Sequence, residues 1–368
     1  MISQRLAVLQ DLLETKKLSG ILLSDPFSVQ FFCGFQSSNA LLFILSQNIF
    51  LFTDARYLVG AREQFRKSNI EVRDISKNDE WKSFFKEQNI VILGTEYSKV
   101  TVAKFSAWKK YFGARFRNVD QEIALVRSQK SKEEIRNAEQ AANIADSALE
   151  SVILELRTGI SEKEFAWKLE QACREKGAEK LSFESIVAFG ENSAIPHHHP
   201  TERRLKENEA ILLDWGVVKN GMCSDCSRSF FWGTPVEKWL SDYKKVLTAQ
   251  QAGINSIARG MSIKNTQKRA EEILEENIPH SFGHGVGLEV HEYPTLSLRS
   301  RKKFLENMLV TAEPGIYRAG EYGIRIEDLL VVEKNRVRLL THFSKDLEFV
   351  LLSQQFLKSS ISSQKMRQ

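Results

Sequence analysis

Asp214 lies inside the run EAILLDWGVV, a pattern that belongs in a buried strand. A carboxylate taken out of water without a partner is costly, so a metal ion or another cation is expected beside it. Asp225 stands in the next strand-like run, GMCSDCSRSFF, and Asn220-Gly221 between the two is a strong two-residue hairpin signal. Closing that turn sets Lys219 opposite Met222 and Asp214 opposite Ser227, leaving Asp225 two residues along on the face of Asp214. Diagonal neighbours of this kind sit about 7 to 8 Å apart at Cα, within reach of shared ions. Taken alone, either aspartate could equally be structural, capped by backbone amides or paired with Arg228.

Three further segments bear on that choice. HSFGHGVGLEVHE crowds His280, His284 and His291 into a glycine-rich stretch, where small residues let other groups approach closely. Glu313 sits in VTAEPGIY, and Glu327 sits in GIRIEDLLVV beside Arg325 and Asp328. Four carboxylates in strand-like settings with one imidazole suit two divalent ions of hard to borderline character, Mn²⁺ first, with Co²⁺, Zn²⁺ and iron as alternatives. Two ions about 3.5 to 4 Å apart support hydrolysis of a polarised carbonyl. The glycines from Gly283 to Gly287 lack the spacing and the Lys-Ser/Thr of a phosphate loop, and the chain has no H-E-x-x-H.

The elements that must hold these residues fit two domains, since 368 residues exceed one ordinary core. Residues 1–125 alternate helical and strand-like runs, beginning with a helix to Lys17, then GILLSDP, then ALLFIL and NIFLFTDARY as a strand pair, with further alternation to Val119; this predicts an α/β domain. A second domain over 126–357 opens with a helix from Ser131 to Leu156, where Ser131 and Glu134 form a capping-box pattern. A helix from Ser161 to Lys176 follows, then many short strands, and the Ser-, Gln- and Lys-rich stretch 358–368 is expected to be a disordered tail.

Composition narrows the partners. The 52 basic and 47 acidic residues are mixed along the chain, which argues against nucleic acid. The most apolar stretch, Ala40 to Phe52, is broken by Ser46, Gln47 and Asn48, so no membrane span is expected. The amphipathic N-terminus lacks a signal-peptide core, and four scattered cysteines suit a reducing compartment; the cytoplasm is the expected location. Cys223 and Cys226 fall in a strand-like run and are read as small buried hydrophobes rather than a zinc or redox pair.

The segments ENSAIPHHHP, LLDWGVVKNGMCSDCSRSF, HSFGHGVGLEVHEYP, TAEPGIY and GIRIED together resemble the pita-bread metallopeptidases, in particular the Xaa-Pro aminopeptidases and Xaa-Pro dipeptidases. The resemblance covers almost the whole chain and implies a creatinase-like α/β N-terminal domain before an α+β pita-bread catalytic domain. It implies that Asp214 ligates one metal, that His284 and Glu313 ligate the other, and that Asp225 and Glu327 bridge both. Glu313 would serve as general base, His291 would stabilise the oxyanion, and His197 and His280 would line the leaving-group side. Arg325 would orient the bridging carboxylates or meet the substrate backbone. His198 and His199 are expected to be exposed loop residues, and Tyr293 and Tyr317 are candidates for pocket walls. Trp215, bulkier than the family's usual residue, is expected to narrow the pocket, and Ser227 and Ser229 stand where threonines are usual. The implied activity is metal-dependent hydrolysis at the N-terminus of peptides with proline second, the aminopeptidase reaction, with the dipeptidase as alternative. A homodimer is implied too. A peptide- or histone-binding module without catalysis is disfavoured because all five ligand positions are kept.

Overall fold

The computed structural model describes residues 2–76 and 80–353. The expected tail at 358–368 and the end of the expected second domain lie outside them. The chain divides into two compact units, Met1–Arg127 and Ser128–Gln368. Among the described residues no helix is long and apolar enough to cross a membrane.

In the first unit the helix Ile2–Lys16 buries Leu6, Leu9 and Leu13 along one stripe. The runs GILL, ALLFI and IFLFT become the strands Gly20–Leu23, Ala40–Ile44 and Ile49–Thr53, each buried throughout. A strand covered on both faces has no polar side to display, which is why these runs do not alternate. The sheet has six strands in the order Ile70–Asp74, Ile49–Thr53, Ala40–Ile44, Gly20–Leu23, Ile92–Thr95, Arg115–Asn118. Its middle pairings are antiparallel and its outer ones parallel. Phe43, Phe52, Trp81, Phe84, Phe85 and Phe112 form an aromatic core against it.

The second unit opens as its capping signal predicts. Ser131 accepts from the Glu134 amide while the Glu134 carboxylate takes the Ser131 amide, and the helix Lys132–Val152 follows. Ser161 and Glu164 repeat the device at the head of the helix Glu162–Glu175. These helices, with Glu237–Ile254 and Lys264–Leu274, bury Leu149, Phe165, Val246 and Ala270 in one core with Leu213, Phe230, Val310 and Ile324 of the strands. One sheet carries Cys226–Trp232 between Leu351–Leu352 and Glu209–Trp215, with Ile186–Phe189 at the edge. Another carries Glu292–Leu296, Gly283–Gly285, Leu309–Ala312, Asp328–Val332 and Val337–Leu339 in that order. The hairpin Gly315–Arg318 with Tyr322–Arg325 stands apart from both.

The Asn220-Gly221 turn closes in the predicted register, with Lys219 opposite Met222 and Asp214 opposite Ser227. The ladder is not continuous, however. It breaks at Gly216 on one side and at Ser224 and Asp225 on the other. A Cβ on Gly216 would lie 2.0 Å from the Ser224 carbonyl oxygen, so the close crossing requires glycine. The Val217 amide donates to Ser224 Oγ at 3.0 Å and holds the kink. Trp215 departs from expectation: it is fully buried, donates from Nε1 to the Ala145 carbonyl at 2.9 Å, and meets the edge of Phe343. Successive strand residues face opposite ways, so Trp215 fills the core behind Asp214 and does not narrow a pocket.

Candidate metal centre

The expected ligands lie in short strands of the second unit or in the breaks and links between them. Asp214 is the last residue but one of Glu209–Trp215, and Asp225 occupies the kink just described. His284 is the middle residue of Gly283–Gly285, flanked by two positions where a side chain cannot fit. A Cβ on Gly283 would stand 2.1 Å from the Thr311 carbonyl oxygen, and one on Gly285 2.3 Å from that of Tyr293. Glu313 follows Leu309–Ala312, its amide donating to the Phe282 carbonyl at 2.8 Å. Glu327 links Tyr322–Arg325 to Asp328–Val332, its amide donating to the Ser227 carbonyl at 3.0 Å.

These elements bring the five side chains to one place. Asp225, His284 and Glu327 each offer a ligand atom within 4.8 Å of the others. The His284 amide donates to Thr311 Oγ1 at 3.1 Å and its Nδ1 donates to the Gly285 carbonyl at 3.1 Å. That fixes the ring with Nε2 toward the carboxylates, 3.5 Å from Asp225 Oδ2 and 3.5 Å from Glu313 Oε1. Burial, then the neighbouring His291, pushes the His284 imidazole down to about 3, so it stays neutral with the Nε2 lone pair available. Asp225 and Glu327 are pushed well above the carboxylate range, first by burial and then by the repulsion of the other carboxylates. Burial also raises Asp214, and it lifts Glu313 to about 8, against the pull of Arg325 on both.

Arg325 is the cation that faces this cluster. Its Nη2 donates to Asp214 Oδ2 at 2.6 Å and its Nε to Ser227 Oγ at 2.9 Å. Ser227 Oγ in turn donates to Glu327 Oε2 at 2.8 Å. Among the described residues one guanidinium faces four carboxylates, and ionising all four together in a buried space calls for further positive charge. Asp214 Oδ1 is itself buried without a hydrogen-bond partner. A neutral imidazole, four carboxylates and an orphaned carboxylate oxygen fit divalent cations of the kind expected from the sequence.

Three further findings depart from the sequence expectations. Arg228 does not pair with Asp214 or Asp225; it is buried against Asp328 at 2.8 Å and donates to the carbonyls of Ser227 and Glu327. Tyr317 is more than a wall: its hydroxyl accepts from Arg325 Nη1 at 3.0 Å and donates to His280 Nε2 at 3.0 Å. His280 Nδ1 donates to the Ser281 carbonyl, and burial holds this histidine neutral, down to about 4. His198 is buried, with Nε2 2.9 Å from Glu162 Oε2, whereas His199 is exposed as expected and meets Glu184. His291 is exposed, with its ring centroid 4.3 Å from that of His284. His197 lies close enough to Asp214, His280 and His291 to act on their charge states. Two residues that hold the site in place carry no such sign in the sequence: Ser227, which links Arg325 to Glu327, and Thr311, which accepts the His284 amide.

The profile described as metallopeptidase family M24 matches residues 136–334, and that of the creatinase/prolidase N-terminal domain matches residues 5–129. Among solved structures, the Xaa-Pro dipeptidase from Bacillus anthracis is 32% identical, with a TM-score of 0.90 covering 96% of this chain and 100% of that one. The prolidase from Pyrococcus horikoshii OT3 is 31% identical, with a TM-score of 0.87 over 94% and 99% of the two chains. The X-Pro aminopeptidase from Thermotoga maritima MSB8 is 30% identical, with a TM-score of 0.84 over 94% and 98%.

Proposed function

The chain belongs to metallopeptidase family M24, a creatinase-like N-terminal domain followed by a pita-bread catalytic domain, and we propose that it hydrolyses Xaa-Pro dipeptides using two divalent ions. The observation that carries the proposal is the buried cluster of Asp225, His284 and Glu327, with Glu313 and Asp214 beside it, in a chain so similar to an Xaa-Pro dipeptidase. The sequence alone favoured the aminopeptidase reaction. Likeness to a dipeptidase and a prolidase supports the dipeptide reading at least as well, while likeness to the Thermotoga maritima enzyme keeps longer peptides as the second reading. Mn²⁺ as the ion, a cytoplasmic location, a homodimer and domain limits of 1–125 and 126–357 complete the proposal.

In this reading Asp214 would hold one ion, His284 and Glu313 the other, and Asp225 and Glu327 both. The ions would supply Lewis acidity toward the scissile carbonyl and make a water acidic enough to react near neutral pH. The chain's own side chains do the rest. The Glu313 carboxylate takes a proton from the attacking water and delivers it to the proline nitrogen as the C–N bond breaks. His291 donates a hydrogen bond to the carbonyl oxygen as it gains charge. Arg325, braced by Asp214, Ser227, Tyr317 and the Pro196 carbonyl, keeps the carboxylates in register. His280 and His197 border the side where the proline departs.

The test compares an Xaa-Pro dipeptide with Xaa-Pro-Xaa as substrates of the Mn²⁺-loaded protein, with elemental analysis of bound metal. Two ions per chain and turnover confined to the dipeptide are the expected result. Faster cleavage of the tripeptide would replace the dipeptidase reading with the aminopeptidase one, and neither activity would end both.

A further inference from the structure

Glu162 is the first residue of the helix Glu162–Glu175, and its side chain is fully buried. A buried carboxylate must find hydrogen-bond donors or a cation, and this one has five donors. Oε1 accepts from the Phe189 amide and from Asn192 Nδ2, both at 2.9 Å. Oε2 accepts from His198 Nε2 at 2.9 Å, from the Thr201 amide at 2.9 Å and from the Thr201 hydroxyl at 2.6 Å. Burial pushes the carboxyl up, but these donors outweigh it and hold the group below its ordinary range. The helix N-terminus favours the negative charge as well.

The donors come from both ends of one segment, residues 189–201. Between the anchored ends, the Pro196 carbonyl accepts from Arg325 Nη1 at 3.0 Å, and the same guanidinium holds Asp214. The segment is therefore stitched to Glu162 on one side and to the metal centre's arginine on the other. His197 is exposed and lies in the chain between the two attachments, close enough to Asp214, His280 and His291 to act on their charge states.

We infer that Glu162 and His198 are positioning residues, a buried clamp that fixes segment 189–201 and so aims His197 at the departing side of the bound peptide. The kinetic half of this inference rests on the proposed Xaa-Pro hydrolysis; the structural half rests on the hydrogen bonds alone. Glu162→Gln keeps the size of the side chain but turns an amide nitrogen toward donors whichever way it is oriented. In Mn²⁺-supplemented assays on an Xaa-Pro dipeptide it is expected to lower kcat/KM by about tenfold or more. In a His197→Ala background the same change is expected to cost less than about twofold, because the group it aims is already gone. His198→Gln, whose amide can donate near the place of Nε2, should keep most of the activity, and His198→Leu should behave like Glu162→Gln. That pair carries the test if Glu162→Gln fails to fold. Equal losses with and without His197 would overturn the inference, as would wild-type kinetics in both Glu162→Gln and His198→Leu.

A second readout needs no turnover. Amide hydrogen exchange across residues 189–201 is expected to quicken by roughly tenfold in Glu162→Gln or His198→Leu, with Glu209–Trp215 still protected. Unchanged exchange would remove the clamp. If the wild-type chain cleaves no Xaa-Pro peptide, the proposed function falls, and the exchange experiment still decides whether the clamp exists.

Discussion

Four carboxylates converge where Arg325 directly pairs with one of them, and that imbalance is the chemistry of the site in its simplest form. The Glu313 side chain is the most open of those compared, 16% exposed against 12% for Asp214 and 6% for Asp225, which suits it to meeting a water and a substrate. Glu313→Gln preserves shape and one acceptor but loses the proton acceptor. It should keep the fold, by circular dichroism, and lower kcat on an Xaa-Pro substrate by about 10²-fold or more. His291→Ala should lower kcat more than it raises KM, since a donor to the developing oxyanion acts in the transition state. Near-normal turnover in the first variant, or an effect of the second confined to KM, would reassign those roles.

At the scale of elements, the sequence was most legible where local rules act. The Asn-Gly turn set the register of the hairpin, and the Ser131-x-x-Glu134 box opened its helix as such boxes do. The kink at Gly216 was not legible, because it depends on how closely the Ser224 carbonyl crosses it. Nor was the burial of His198, whose partner Glu162 lies 36 residues away. Nor was the partner of Arg228, which pairs with Asp328 while Arg325 takes Asp214, because three-dimensional neighbours choose between two arginines that look alike in sequence. Parallel pairing makes another such encounter in the first unit. Gly20–Leu23 and Ile92–Thr95 lie side by side, so Asp25 and Glu96 emerge at adjacent strand ends, and Ser28 Oγ donates to Glu96 Oε1 at 2.9 Å. Burial lifts Glu96 to about 7, with Ser28, Arg127 and Lys99 pulling it down and Asp25 pushing it up. The folded state therefore holds this proton more tightly than the unfolded chain does. The stabilising contribution is complete below the ordinary carboxylate range and is lost as pH rises through about 7, a loss of roughly 3 kcal/mol. Glu96→Gln should match the wild type in urea denaturation at pH 4 and exceed it at pH 8; a difference independent of pH would exclude this role for Glu96.

For the molecule as a whole, the two units differ in what their folded states require. The first has an aromatic core of its own and its sheet closes without help from the catalytic cluster. The second draws strands from two sheets and a separate hairpin to one point, and brings like charges together there. An ion that binds only the folded arrangement stabilises it in proportion to RT ln(1 + [L]/Kd), about 3 kcal/mol at a hundredfold excess over Kd. With about 2 to 4 °C per kcal/mol for a unit of this size, chelation should lower the melting temperature of the catalytic unit by roughly 6 to 12 °C. Differential scanning calorimetry with EDTA, and then with Mn²⁺ restored in steps, reads this directly. Because the gain comes from mass action, the transition should climb with the logarithm of the Mn²⁺ concentration above Kd, and Asp225→Asn should flatten that climb. A transition unmoved by either EDTA or Mn²⁺ would mean that the carboxylate cluster folds without ions, and the metal-dependent reading of the site would have to be abandoned.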